Sequence, residues 1–255
     1  MRRVELTLPA WPAALDGLRV GVIADLHAGM PHAGVAAVAR AARVLQAEAP
    51  DLVCLVGDFL ATGSWMTHSV DPLDLARALE ALRPPLGVLA VLGNHDWNVG
   101  GKRIGRALAD SGVAVLENDA RQVAPGLWVA GVADLRRRRP DVPWALNDVP
   151  ADAAVLMLSH DPDVFPRVPA RVALTLSGHT HGGQIALPLV RRPFSPSHFG
   201  ERFVSGHVEE AGRHLYVTSG VGTAGVPVRF RRPPEVVVLR LLSGGTAEVP
   251  PPAVA

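Results

Sequence analysis

The chain repeats one device: a short apolar run that stops on a residue able to do chemistry. Residues 18–24 stop at Asp25, residues 52–56 at Gly57-Asp58, and residues 88–92 at Gly93-Asn94-His95-Asp96. Residues 127–132 lead to Asp134, residues 153–158 to Ser159-His160, and residues 172–176 to Gly178-His179. Short runs rich in Val and Leu, without polar alternation, suit strands buried on both faces. Between the early runs, residues 35–48, 73–82 and 102–111 read as helices, the last closed by Gly112. Alternation of strand and helix gives an α/β layered fold. After residue 180 the pattern changes: 215–219 and 235–242 read as strands with no long helix between them. The expected architecture is a four-layer α-β-β-α sandwich, two packed mixed sheets flanked by helices. One domain is expected over 1–255, with its core at about 18–242, a loop at 188–200 and a short frayed tail at 250–255.

The bulk numbers narrow the classes of function. A hydrophobic content of 48% excludes a disordered chain. A net charge of +1 provides no field that would select nucleic acid. Basic residues are nearly all Arg, so the run Arg136 to Arg139 reads as a solvated loop. Cys54 is alone, which rules out an internal disulfide, and its apolar run makes it a buried, inert thiol. Met1-Arg2-Arg3 is followed by Glu5 and Pro9, where an export signal needs an apolar stretch, and no run is long enough to span a bilayer. The expectation is a cytoplasmic chain, with contact at a membrane surface left open.

In α/β sheets, ligands bind beyond the carboxyl ends of the strands. The run ends therefore bring Asp25, His27, Asp58, Asn94, His95, His160, His179 and His181 toward one edge. Singly, each has an ordinary explanation: a helix cap, a hydrogen-bonded core histidine, a turn asparagine. Together they include five of the ten histidines. Burying so many imidazoles and carboxylates unpartnered would cost several kcal/mol per group. Imidazole and carboxylate without thiolate suit Mn, Zn or Fe, and ligands spread along the chain suit a catalytic site.

Asp25-Leu26-His27, Gly57-Asp58, Gly93-Asn94-His95-Asp96, His160 and Gly178-His179-Thr180-His181 occur in the order seen in calcineurin-like metallophosphoesterases. The resemblance covers about residues 18–240. It implies two divalent ions: Asp25, His27 and His181 on the first, Asn94, His160 and His179 on the second, and Asp58 bridging both. It implies that His95 is no ligand but faces the substrate, and that Asp96 orients it. Two divalent charges, less two carboxylates and one hydroxide, leave about +1, which still attracts a phosphate anion. A metal lowers the pKa of bound water toward ~7 and makes a nucleophile at neutral pH. His95 would stabilise equatorial charge or protonate the leaving oxygen.

One departure stands out. Many members of that family carry a further Asp three positions after the bridging one; here that position is Ala61. The metal ligands survive this change, but their outer support is expected to weaken. Gly182-Gly183 would let the chain turn away from a crowded centre. The segments 215–223 and 233–235 resemble a bacterial branch that includes phosphodiesterases of cell-envelope metabolism, some acting on UDP-2,3-diacylglucosamine. The substrate is then a phosphate ester, a diester ahead of a monoester, nucleotide or lipid-linked. The loop 187–194, with Arg191 and Arg192 among apolar residues, reads as a packed surface loop. Asp134 is expected to be structural, and His32, His68, His198, His207 and His214 lack motif context.

Two other classes compete. A metal-dependent amidohydrolase also uses His-x-His and Asp, but with the pair on an early strand and often a bridging lysine. Here the pair comes late, and Lys102, the sole lysine, lies in an expected helix. A non-catalytic scaffold on the same fold would be favoured by missing ligands, yet all are present.

Overall fold

The computed structural model describes residues 1–186 and 195–244. The frayed tail and the loop carrying Arg191 and Arg192 lie outside the described residues.

Twelve strands are described: β1 (Arg2–Leu8), β2 (Leu18–Ile23), β3 (Leu52–Val56), β4 (Val88–Val91), β5 (Ala114–Val115), β6 (Asp119–Ala124), β7 (Leu127–Gly131), β8 (Ala154–Leu158), β9 (Leu174–Ser177), β10 (Gly206–Glu210), β11 (Arg213–Val217) and β12 (Val237–Ser243). They form two six-stranded sheets, in the orders β1-β12-β2-β3-β4-β5 and β10-β11-β9-β8-β7-β6. In the first, β2 to β5 run parallel and β12 opposes β2; in the second, β11, β9, β8 and β7 run parallel, with β10 and β6 antiparallel at the edges.

Among the described residues the α-helices are α1 (Val35–Gln46), α2 (Pro72–Leu79), α3 (Asn94–Val99), α4 (Gly101–Asp110) and α5 (Val142–Ala145). In α1 the buried residues Val38, Ala41, Ala42 and Leu45 fall at helical spacing and make one apolar stripe. Helix α2 starts where Asp71 accepts from the Leu73 N–H at 2.9 Å, with Pro72 in the first turn.

Three apolar clusters give the layers. One fills the space between the sheets, with Val22, Cys54, Val56 and Val91 from the first and Val129, Leu156, Leu158 and Leu176 from the second. Another lies between the first sheet and α1, α2 and α4. The third lies between the second sheet and α5 with the 3-10 turn at 162–167. The order is therefore helices, sheet, sheet, helices, as expected. Each fully buried Leu or Val contributes roughly 1.5–3 kcal/mol. Strand β1 is an addition to the sequence reading, which set the core at about residue 18. Leu6 and Leu8 are buried while their neighbours are exposed, and β1 pairs in parallel with β12.

Candidate metal centre

The strand ends meet because ladder bonding continues past the strands. Beyond β2 and β3, the Asp25 N–H donates to Gly57 O at 3.0 Å, His27 to Asp58 O at 3.0 Å, and Ala28 to Phe59 O at 2.8 Å. Beyond β8 and β9, Ser159 donates to Leu176 O and Gly178 to His160 O, both at 3.1 Å. The two sheets thus deliver their loops to a shared edge.

The backbone there is strained. Asp25 (φ 52°), His27 (43°), Asp58 (56°), His179 (69°) and His181 (53°) all occupy the left-handed region. Such conformations cost on the order of 1–3 kcal/mol each and persist where the surroundings over-determine them, commonly at functional sites. Glycines make the room. A Cβ at Gly93 would collide with Asp58 Oδ1, and one at Gly178 would come within 2.5 Å of Asp25 Oδ2.

Three overlapping groups could each hold a cation: Asp25, His27 and His181; Asp58, His160 and His179; and His27, Asp58 and His95. Asp58 is common to the last two. Within each group the potential ligand atoms lie within 4.8 Å of one another. His27 Nε2 and His181 Nε2 are 3.1 Å apart, and His179 Nδ1 and His160 Nε2 also 3.1 Å. Asp58 Oδ2 is 3.2 Å from His160 Nε2 and 3.6 Å from His27 Nε2. Asn94 Oδ1 is buried with no hydrogen-bond partner among the described residues. Lone pairs converging from the seven side chains of these groups and a stranded amide oxygen fit divalent cations.

The electrostatics favour neutral rings at three of the histidines; at His160, burial is outweighed by Asp58, which holds the ring well above the usual imidazole range. Burial pushes His27 down to about 3, only partly opposed by Asp58. Burial also holds His179 and His181 well below the usual imidazole range, with His160 adding for the former and His27 for the latter. Their ring nitrogens are therefore available as neutral donors to a metal. Burial pushes Asp25 up to about 7, and nearby Asp58 adds. Burial would raise Asp58 too, but His160 and His27 hold it well below the usual carboxylate range.

The structure corrects the role of Asp96. Its carboxylate does not reach the His95 ring. Oδ2 accepts from Asp58 N and Gly93 N, both at 2.9 Å, and Oδ1 from Phe59 N at 2.8 Å and Leu60 N at 3.1 Å. Fully buried, it ties the loop after β3 to the loop after β4 and so sets where Asp58 stands. The partner of His95 is Thr62, whose Oγ1 lies 2.6 Å from Nδ1. Thr62 follows directly on Ala61, so a hydroxyl one position later does the orienting. The sequence reading missed this residue, although the Ala61 departure was the place to look.

Other functional positions were also missed. Arg229 is mostly buried and packs behind His181, its Nη2 lying 3.3 Å from Nδ1 and donating to the Ser219 and Gly222 carbonyls. Of the arginine run, Arg138 lies over Trp97 and pairs with Glu117, whereas Arg136 lines the cavity. Asp134 is structural, accepting from the Arg136 and Arg137 N–H groups. His198 binds Asp163, and His207 stacks on His214 outside the candidate ligand groups. Lys102 is exposed on α4.

The groups open into a cavity of about 770 Å³. Asp58, Asn94, His95, His179 and His181 lie along it, Arg136, Ser195 and Pro196 on one wall, and Gln184, Ile185 and Ala224 to Val226 on another.

Comparison with known proteins agrees with this geometry. The phosphodiesterase YaeI of Escherichia coli is 34% identical over 202 residues, covering 76% of this chain and 71% of that protein. The UDP-2,3-diacylglucosamine pyrophosphatase LpxG of Chlamydia trachomatis is 26% identical over 300 aligned positions, covering 94% and 88%. The solved structure of the sulfate thiohydrolase SoxB from Thermus thermophilus superposes with a TM-score of 0.51 at 14% identity, over 88% of this chain and 57% of that one, a likeness of fold. The model of the calcineurin-like phosphoesterase family matches residues 18–183, and the chain belongs to that family.

Proposed function

We propose that this metallophosphoesterase is a phosphodiesterase working at a two-metal centre. Asp25, His27 and His181 would hold one divalent cation, Asn94, His160 and His179 the other, and Asp58 would serve both. The observation that carries the reading is the position of Asp58 between the two sets, its Oδ2 3.2 Å from His160 Nε2 and 3.6 Å from His27 Nε2. Two divalent cations would supply Lewis acidity toward phosphate oxygens and a water acidic enough to attack near neutral pH. The Asp and His donor set suits Mn, Zn or Fe.

The chain's own residues do the rest. Asp58 fixes the spacing of the two ligand groups, and the Asp96 carboxylate holds its backbone in place. His95 stands beside His27, ring centroids 4.7 Å apart, with Nδ1 committed to Thr62. Nε2 is the nitrogen left to meet the phosphate, to stabilise its equatorial charge or pass a proton to the leaving oxygen. Asn94 Oδ1 is a neutral ligand, which limits the negative charge facing an anionic substrate.

A diester is favoured by the size of the cavity, about 770 Å³, and by the name of the Escherichia coli relative. A lipid-linked diester is favoured over a nucleotide one by the apolar wall of Ile185 and Val226, by exposed Val228 and Phe230 nearby in sequence, and by the substrate in the Chlamydia relative's name. Such a substrate would bring the protein to a cytoplasmic membrane surface. No helix among the described residues is long and apolar enough to cross a membrane. An amidohydrolase is disfavoured because the sole lysine, Lys102, is exposed on α4 and does not line the cavity.

The test compares bis-p-nitrophenyl phosphate, p-nitrophenyl phosphate and a p-nitroanilide with added Mn²⁺ or Zn²⁺. Turnover is expected on the diester first. Turnover on the anilide alone would end the proposal. Co-sedimentation with anionic vesicles checks the membrane contact.

A further inference from the structure

Arg136 sits where a solvated loop was expected, yet its guanidinium is tied at two points, to a buried carboxylate and to a backbone carbonyl. The Asp134 carboxylate accepts from the N–H groups of Arg136 at 3.0 Å and Arg137 at 2.6 Å, bending the chain after β7. The Arg136 side chain, 29% exposed, then turns to the cavity. Its Nε donates to Asp161 Oδ2 at 2.9 Å, and its Nη2 to Pro196 O at 2.5 Å. Asp161 is fully buried, and its other oxygen caps the 3-10 turn by accepting from Asp163 N at 3.0 Å. Asp163 in turn fixes the segment that carries Pro196, through Ser197 Oγ and the His198 N–H. Among the described residues, Nη1 has no hydrogen-bond partner. The result is a planar donor edge, fixed by a buried carboxylate and open to the cavity, which is the arrangement that recognises phosphate oxygens.

Its position says which phosphate. Asp161 Oδ2 also lies 3.6 Å from His179 Nε2, on the ring edge opposite the Nδ1 that faces His160. The guanidinium therefore stands beyond Asp161, beside the ligand group and not within it. A phosphate on the ligand groups has its charge met there. The Arg136 edge suits the next anionic group along the substrate.

We infer that Arg136, clamped by Asp161, is a subsite for a second phosphate adjacent to the scissile one, so that the preferred substrates are diphosphate diesters. This rests on the phosphodiesterase reading and adds a specificity residue to it. Hydrolysis of such a substrate adds water across the bridging P–O bond and gives two phosphomonoesters. Arg136 holds the one that departs with the bridging oxygen.

The experiment uses the metal-loaded full chain and compares ADP-ribose, with two phosphates, against bis-p-nitrophenyl phosphate, with one. Arg136→Ala is expected to lower kcat/KM on ADP-ribose about tenfold or more, mainly through KM, and to change it less than about threefold on the single phosphate. Arg136→Lys, which keeps a charge beside Asp161, should show a smaller loss with the same selectivity. By calorimetry in a His95→Ala background, the tighter binding of ADP over AMP should shrink by a similar factor when Arg136 is replaced. Equal losses on both substrates, or none on either, overturn the subsite. Should the unmutated protein hydrolyse neither diester, the phosphodiesterase reading fails, and the ADP and AMP titrations still decide the role of Arg136.

Discussion

Asp96 provides the sharpest test of how the site is built. Its carboxylate receives four backbone N–H groups from two loops and is fully buried. A hydrogen bond to a charged acceptor contributes about 1.5–3 kcal/mol. Four would give a gross ~6–12 kcal/mol, offset by several kcal/mol for burying the carboxylate. Replacing Asp96 with Ala is expected to destabilise the fold by about 3–5 kcal/mol, a large share of the ~5–15 kcal/mol of an ordinary domain. Asp96→Asn keeps one oxygen and turns an NH₂ toward two N–H donors, so it should cost about 2–4 kcal/mol. Because two of the donors belong to Asp58 and Gly93, metal content should fall with stability. The assay is urea unfolding together with metal analysis of protein purified without chelator. An Asp96→Ala protein with unchanged unfolding and metal content, but slow turnover, would refute this reasoning and return Asp96 to the orienting role.

Thr62→Val removes the hydroxyl from His95 Nδ1 and should lower kcat roughly tenfold with metal content unchanged, while Thr62→Ser restores it; steady-state kinetics and metal analysis check both. His95→Ala should keep its metals and lose rate, and loss of metal in that variant would make His95 a ligand. Asp58→Ala should lose metal and metal-dependent turnover together, measured by elemental analysis and diester hydrolysis. Gly93→Ala places a methyl against Asp58 Oδ1 and should lower metal content although every ligand side chain is retained. Chelator should lower the Tm of the wild-type protein, and added Mn²⁺ or Zn²⁺ should restore it.

The layered fold was legible because parallel strands buried on both faces must be apolar throughout, and such runs are visible in 52–56 and 154–158. So was the gathering of Asp25, Asp58, Asn94, His160 and His179, since each follows such a run and the topology rule sends run ends to one edge. Strand β1 is hard to read from sequence because its buried positions, Leu6 and Leu8, follow the charged and exposed Arg2, Arg3 and Glu5. What the sequence by itself determined was which residues gather and the chemistry they support. Tertiary structure decided which neighbour serves which group. Asp96 lies next to His95 in the chain, yet the turn into α3 points its carboxylate at the Asp58 loop and leaves His95 to Thr62. Arg136 looks like its three arginine neighbours until Asp134 bends the backbone and Asp161 supplies a buried counter-charge. Hydrogen-bond directions depend on backbone angles such as the left-handed ones at Asp25 and Asp58, and those are imposed by packing against the rest of the fold, in conflict with local preference.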